Sequence, residues 1–268
     1  MERVSIDKVL LDPVTMSEAV DRVSSMLEEV RERAAHVVTM NAQFVEIAHQ
    51  ETRFADVLRR ADLSVADGLS LVWASRWLGQ FVPERVAGAD LMVHLCEAAA
   101  TRGKTVYFLG GSPGAASRAA ERLSKDLPQL VVAGVDCPPN GFLDDSEECS
   151  RVAKRIEAAK PDLLFVGLGA PKQEYWIERY AYLPAKVMMG IGGSFEFVAG
   201  YRKRAPVMIQ KIGFEWLWRL CMEPRRLWKR YLVGNTIFLF IVFRQWWSYT
   251  SGRNFYNPEG PAMSQQKE

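Results

Sequence analysis

The sequence predicts an α/β fold, a mostly parallel sheet with helices on both faces. Six short apolar runs recur through the first 200 residues, each the length of a buried strand. The segments between them carry apolar residues at helical spacing, and this alternation is the signature of strand–helix–strand units. Glycine-containing turns follow most of the runs, placing polar chemistry at one edge of the sheet.

In chain order, Thr15-x-x-Glu18 reads as a capping box that opens a helix running to about Glu32. The predicted strands are 36–40, 63–66, 105–109, 130–135, 163–166 and 186–191. Segments 112–127 and 146–160 read as helices, the first with Ser112 as its cap and Pro113 at its first position. After Gly200 the texture changes. Tyr201-Arg202-Lys203-Arg204-Ala205-Pro206 is a basic loop, and 207–249 is rich in Trp, Arg and Leu without strand alternation. Three short helices are expected there, broken near Pro224 and Gly234. The polar residues 250–268 are expected to be disordered. The predicted organisation is therefore a core over 1–200, a basic, aromatic helical appendage over 201–249 and a tail.

The net charge of +2 hides an asymmetry. Residues 200–253 hold 11 Lys and Arg against 2 Asp and Glu, so the appendage calls for an anionic partner. Trp and Phe there cluster with aliphatic residues, which favours a membrane surface over nucleic acid. The 4 cysteines (Cys96, Cys137, Cys149, Cys221) form no CxxC pair, which disfavours zinc and fits a reducing compartment. The N-terminus lacks a leader's apolar stretch, and no run reaches the roughly 20 apolar residues of a spanning helix. The expectation is a protein that is neither exported nor bilayer-crossing.

Residues that could carry chemistry sit after the strands. Thr39 and Asn41 close the first, Asp67-Gly68 the second, Gly110-Gly111-Ser112 the third; residues 167–174 and 190–194 follow the fifth and sixth. Glycine turns of this kind admit a diphosphate close to the backbone, although most such glycines serve only the turn. The dinucleotide spacing G-x-G-x-x-G and the P-loop are both missing, and the first absence argues against a dinucleotide oxidoreductase. No D-x-D pair is present to hold a divalent metal; Asp144-Asp145 read as a solvated pair in a loop. Asp67 stands out as a carboxylate ending an apolar strand, either a general base or the cap of the helix starting near Leu69. Arg85 reads as a phosphate ligand or as the ion-pair partner of a neighbouring acid. His36, His49 and His94 have no metal-ligand spacing.

In order along the chain run Thr39-x-Asn41, Asp67-Gly68, Arg85-x-x-Gly88-x-Asp90 and Phe108-Leu109-Gly110-Gly111. Gly169-x-Pro171-Lys172-Gln173-Glu174, Gly192-Gly193-Ser194-Phe195-x-Phe197-x-Ala199-Gly200 and Arg204-Ala205-Pro206 follow. Glu215-Trp216-x-x-Arg219-Leu220-x-x-Glu223-Pro224-x-Arg226 completes the series. The chain resembles the WecG/TagA/CpsF glycosyltransferases over residues 4–232.

The resemblance implies a Rossmann-like core and a membrane-docking appendage. It implies metal-independent, inverting transfer of a sugar from a UDP-sugar to a polyprenyl-diphosphate-linked glycan, in synthesis of a cell-surface polysaccharide or teichoic acid. It places the enzyme at the inner face of the cytoplasmic membrane, with self-association into a homo-oligomer expected and no cofactor. By position, Asp67 is the implied general base and Thr39 its partner in positioning a substrate. Asn41, Arg85, Gly110, Gly111, Gln173 and Gly192 are implied on the donor side. Arg219, Arg225 and Arg226 are implied at the diphosphate of the lipid or leaving group. A non-catalytic, membrane-tethered module for a nucleotide or phospho-ligand is the alternative. Residues 236–249, with Trp246, Trp247 and Tyr249 beyond an apolar run, read as a helix in the membrane interface or one buried against a partner subunit.

Overall fold

The computed structural model describes residues 2–203, 205–206, 208–209, 215–228 and 232–251. A hairpin of β1 (Val4–Ile6) and β2 (Val9–Leu11) precedes α1 (Met16–Met26), whose cap is the expected reciprocal box between Thr15 and Glu18. This helix stops short of Glu32. Val30 is fully exposed, so a longer helix would have no core to bury it against, and the chain turns back to start the next strand.

The core sheet comprises β3 (Ala35–Met40), β4 (Leu63–Ala66), β5 (Thr105–Gly110), β6 (Val131–Asp136), β7 (Leu163–Gly167) and β8 (Val187–Gly190). Its order is β4-β3-β8-β7-β5-β6, and every neighbouring pair is parallel. All six predicted runs are strands. The helices are α2 (Ala42–Gln50), α3 (Thr52–Arg59), α4 (Leu69–Trp77), α5 (Gly88–Thr101), α6 (Ala115–Asp126), α7 (Ser146–Ala159), α8 (Lys172–Arg179) and α9 (Ser194–Val198).

Strand periodicity sorts them onto two faces. Val106, Phe108, Leu163, Phe165, Val187 and Met189 point into one cluster with α1, α5 and α6. Tyr107, Leu109, Leu164, Val166 and Met188 point into another with α7 and α8. Because both faces are covered, the strands read as continuous apolar runs. Two details differ from expectation. Ser112 does not cap α6; the helix begins at Ala115 after Gly114, whose φ of 79° lets the chain turn tightly out of β5. Asp145 is exposed as expected, but it also accepts the N–H groups of Glu147 and Glu148 and so caps α7.

Beyond α9 the described residues include the helices Glu215–Met222, Pro224–Trp228 and Gly234–Ser251. The last is long rather than short. One side of it, Phe238, Ile241 and Val242, is buried in the cluster built by α2, α3, α4 and the hairpin. Gln245 on the same side accepts the Asp7 N–H at 2.8 Å and donates to Ser5 O at 3.2 Å. The opposite side leaves Phe240, Phe243 and Trp247 exposed, with Leu239 and Trp246 exposed on its flanks. Two apolar sides on one helix explain why its sequence shows no amphipathic stripe. Among the described residues, no helix is long and apolar enough to cross a membrane. The expected disordered tail, apart from Thr250 and Ser251, lies outside the described residues.

Candidate active site

The turns at the carboxyl ends of β3, β4, β5, β7 and β8 converge on one cleft of about 980 Å³. Thr39, Asn41, Asp67, Arg85, Gly111, Gln173, Gly192 and Arg219 all line it. Gly110 does not. At φ 94° its place is structural, since a Cβ there would lie 2.8 Å from the Gly167 carbonyl oxygen. Arg225 is exposed in the Pro224–Trp228 helix and does not line the cleft, while the Arg226 side chain lies outside the described residues.

Carboxylates at the two ends of the sheet have opposite environments. At the amino end, burial alone would raise Asp62 and Asp162, but backbone N–H groups and cations outweigh it. Asp62 accepts the His36 N–H and pairs with Arg31; Asp162 accepts the Thr105 N–H and pairs with Lys186, and both stay below the usual carboxylate range. At the carboxyl end, Asp67 goes the other way.

Asp67 leaves β4 and does not cap its own helix; α4 has Gly68 at the cap position with no side-chain bond. Its Oδ1 instead accepts the N–H of Gly88, the first residue of α5, at 3.0 Å. No hydrogen bond reaches Oδ2 from the described residues, and the side chain, 30% exposed, faces the cleft. Burial raises its carboxyl above the ordinary range, while the Arg85 guanidinium and the Gly88 N–H pull against that rise. Arg85 donates from Nε to the Asp67 carbonyl at 2.6 Å and pairs with Glu215 at 2.8 Å, with Asp67 Oδ1 farther off at 3.9 Å. Arg85 is thus both an ion-pair partner and a cation at the cleft wall.

Thr39 is 5% exposed, and its hydroxyl donates to the Gly190 carbonyl at 2.9 Å, tying β3 to β8 below the cleft. Gly88 packs on it, where a Cβ would come within 3.1 Å of Oγ1. Asn41 caps α2 by accepting the Gln43 N–H at 3.0 Å. Gln173 is a brace. Its Oε1 accepts the N–H groups of Gly169 and Gly192 at 3.0 and 2.9 Å, and its Nε2 donates to Glu174 at 2.7 Å. It therefore fixes two cleft loops relative to each other. Arg219 lies over the Phe197 ring, 5.2 Å from its centroid.

Three acidic residues escaped prediction. Glu215 pairs with Arg85. Glu196, buried at the cleft wall, accepts the Ser112 N–H at 3.1 Å. Glu174 is fully buried behind Gln173, and burial pushes its carboxyl up to about 8. Glu174 and Glu215 are both present in the recurring motifs, but only the folded chain gives them partners. Among the described residues, no group of three or more His, Cys, Asp or Glu is arranged to hold a metal ion.

The arrangement offers a carboxylate with an open oxygen, cations beside it and glycine turns permitting close approach. Such a site can take a proton from a hydroxyl and bind an anionic leaving group. Comparison with known proteins places the chain in a family. The family model of the glycosyl transferase WecG/TagA/CpsF family matches residues 4–252. An N-acetylglucosaminyldiphosphoundecaprenol N-acetyl-beta-D-mannosaminyltransferase of Bacillus spizizenii is 36% identical over 201 residues, covering 75% of this chain and 76% of the relative. The Staphylococcus aureus protein of the same name is 34% identical over 226 residues, covering 84% and 87%. This chain belongs to the WecG/TagA/CpsF family of glycosyltransferases.

Proposed function

We propose that this glycosyltransferase moves an N-acetylhexosamine of the N-acetylmannosamine type from UDP to N-acetylglucosamine carried on a polyprenyl diphosphate. The acceptor class follows from the names of the relatives, and the product would enter a cell-surface polymer. The reaction is a single displacement with inversion. An acceptor hydroxyl gives its proton to Asp67 Oδ2 as its oxygen attacks the anomeric carbon, and UDP departs on the opposite side. The observation that carries this reading is the open oxygen of Asp67 at the cleft, on a carboxyl raised by burial. A base closer in affinity to the proton it removes is a better catalyst at neutral pH.

The leaving diphosphate gains negative charge, which Arg219 and Arg202 at the cleft wall would stabilise in place of a metal. Residues 201–249 act as a membrane-associating appendage in this reading, with the outer side of the Gly234–Ser251 helix toward the headgroups. That side presents Phe240, Phe243 and Trp247, suited to an interface.

The test is a panel of UDP-sugars offered with a synthetic N-acetylglucosaminyl diphosphate lipid, in buffer containing EDTA. Transfer of one N-acetylhexosamine with stoichiometric UDP release is the expected result. UDP binding without acceptor-dependent turnover would leave the non-catalytic module standing. Turnover restored only by magnesium would remove the arginines from their role.

A further inference from the structure

The cleft has two chemistries. Its lining combines the polar groups of Asp67, Arg85 and Arg219 with apolar side chains of α4 and the Gly234–Ser251 helix. Helix α4 starts at the sheet edge beside Asp67 and buries Leu71, Val72 and Ala74 on its inner side. On the cleft side it presents Trp73 and Trp77, 52% and 62% exposed. Leu239 of the Gly234–Ser251 helix lines the same cleft and is 56% exposed. At ~1.5 Å of rise per residue, Trp73 and Trp77 stand roughly 8 and 14 Å along the axis from Gly68. No acidic side chain occurs on α4.

The sugar and diphosphate of a nucleotide sugar are polar, and its single uracil ring would cover one indole at most, so the donor does not account for the whole of this apolar wall. The acceptor of the reading above is amphiphilic, with a sugar, a diphosphate and then a hydrocarbon chain. With its hydroxyl at Asp67, its diphosphate lies beyond the sugar along α4, on the side away from the departing UDP, and its chain begins about where α4 turns apolar. Resting on that functional reading, we propose that Trp73, Trp77 and Leu239 form an annex of the active site for the first isoprene units of the lipid acceptor. The occupant is the acceptor's own chain rather than the bilayer. These side chains share a concave cleft with the catalytic carboxylate, whereas Phe240 and Phe243 face away from it. Binding the chain there positions the diphosphate and holds the sugar hydroxyl against Asp67, so chain length would register in kcat/KM.

The experiment compares kcat/KM for two N-acetylglucosaminyl diphosphates, one esterified to a long polyprenol and one to methanol, both in the same detergent. The wild type is expected to prefer the long-chain acceptor. Replacing both tryptophans by serine (Trp73→Ser with Trp77→Ser) should cut that preference by at least about tenfold, and replacing both by phenylalanine should retain most of it. Leu239→Asn, on the opposite wall, should shift the preference in the same direction. All three positions are exposed, so circular dichroism should report an intact fold. An unchanged preference, or an equal fall on both acceptors, overturns the annex. Vesicle sedimentation run in parallel separates the other occupant: lost vesicle binding with unchanged preference assigns this wall to the bilayer and also overturns it. A wild type that transfers to neither acceptor overturns the functional reading itself, and the annex with it.

Discussion

Replacing Asp67 with asparagine isolates the proton-transfer role from the structural one. Asn has the same shape, and its Oδ1 can still accept the Gly88 N–H now held at 3.0 Å, so the start of α5 keeps its partner. Arg85 keeps its 2.8 Å pair with Glu215, so no cation is stranded. The change removes the negative charge facing Arg85 and Arg219 and, with it, the ability of Oδ2 to take a proton. A positioned general base contributes about a hundred- to ten-thousand-fold, so Asp67→Asn should lower kcat by that factor, about 3 to 5 kcal/mol in the barrier. Affinity for UDP should move by no more than roughly threefold, since no lost contact reaches the diphosphate; that margin is about 0.7 kcal/mol. The assay is acceptor-dependent UDP release under saturating donor, with UDP affinity measured by calorimetry. Near-normal turnover would refute the base assignment. A parallel collapse of UDP binding would show that Asp67 holds the cleft together rather than reacting in it.

Arg85→Met should move the acid limb of the pH–rate profile upward. Burial raises Asp67 and Arg85 opposes it, so removing the guanidinium leaves burial less opposed; activity would then be lost at a higher pH on acidification. A limb that stays in place would exclude Arg85 from tuning the base. Glu174→Gln should stabilise the fold at pH 8 and flatten its pH dependence. The folded carboxyl titrates at about 8 and the unfolded one near 4.5, so the wild type loses stability as pH rises through that window, by roughly 5 kcal/mol at most. Thermal melts of both proteins at pH 5 and 8 check this, and equal pH dependence would refute it. Truncation before Gly234 should do more than weaken membrane attachment. It strips Phe238, Ile241 and Val242 from the core, about 5 to 9 kcal/mol as an upper bound, so the melting temperature should fall, by up to roughly 10 to 30 °C. An unchanged melt would mean the helix contributes nothing to the core.

The parallel sheet was legible because five of its six strands are buried on both faces, which leaves continuous apolar runs in the chain; β6, at the edge, is only partly covered. The position of Asp67 was legible for a related reason: a carboxylate ending such a run can only emerge at the carboxyl edge, where open α/β sheets bind ligands. The capping box at Thr15 and Glu18 was legible because both partners lie within one turn. What sequence left open depends on contacts between distant segments. Gln173 matched a motif position but not a role; its two bonds to Gly169 and Gly192 exist only once β7 and β8 lie side by side. That Asp67 holds the start of α5 rather than capping α4 became visible only when the fold brought Gly88, 21 residues on, to its Oδ1. Glu174 reads as an ordinary acid in the chain and becomes a raised one because the fold buries it without a cation. The apolar stretch 237–243 gave composition without direction, and the surface it meets is built by residues near the other end of the chain. Local patterning therefore determined which segments are strands and helices and which turns share an edge. Tertiary packing decided which polar groups stay open to a substrate, because desolvation and hydrogen-bond partnership are properties of neighbours that the chain order does not adjoin.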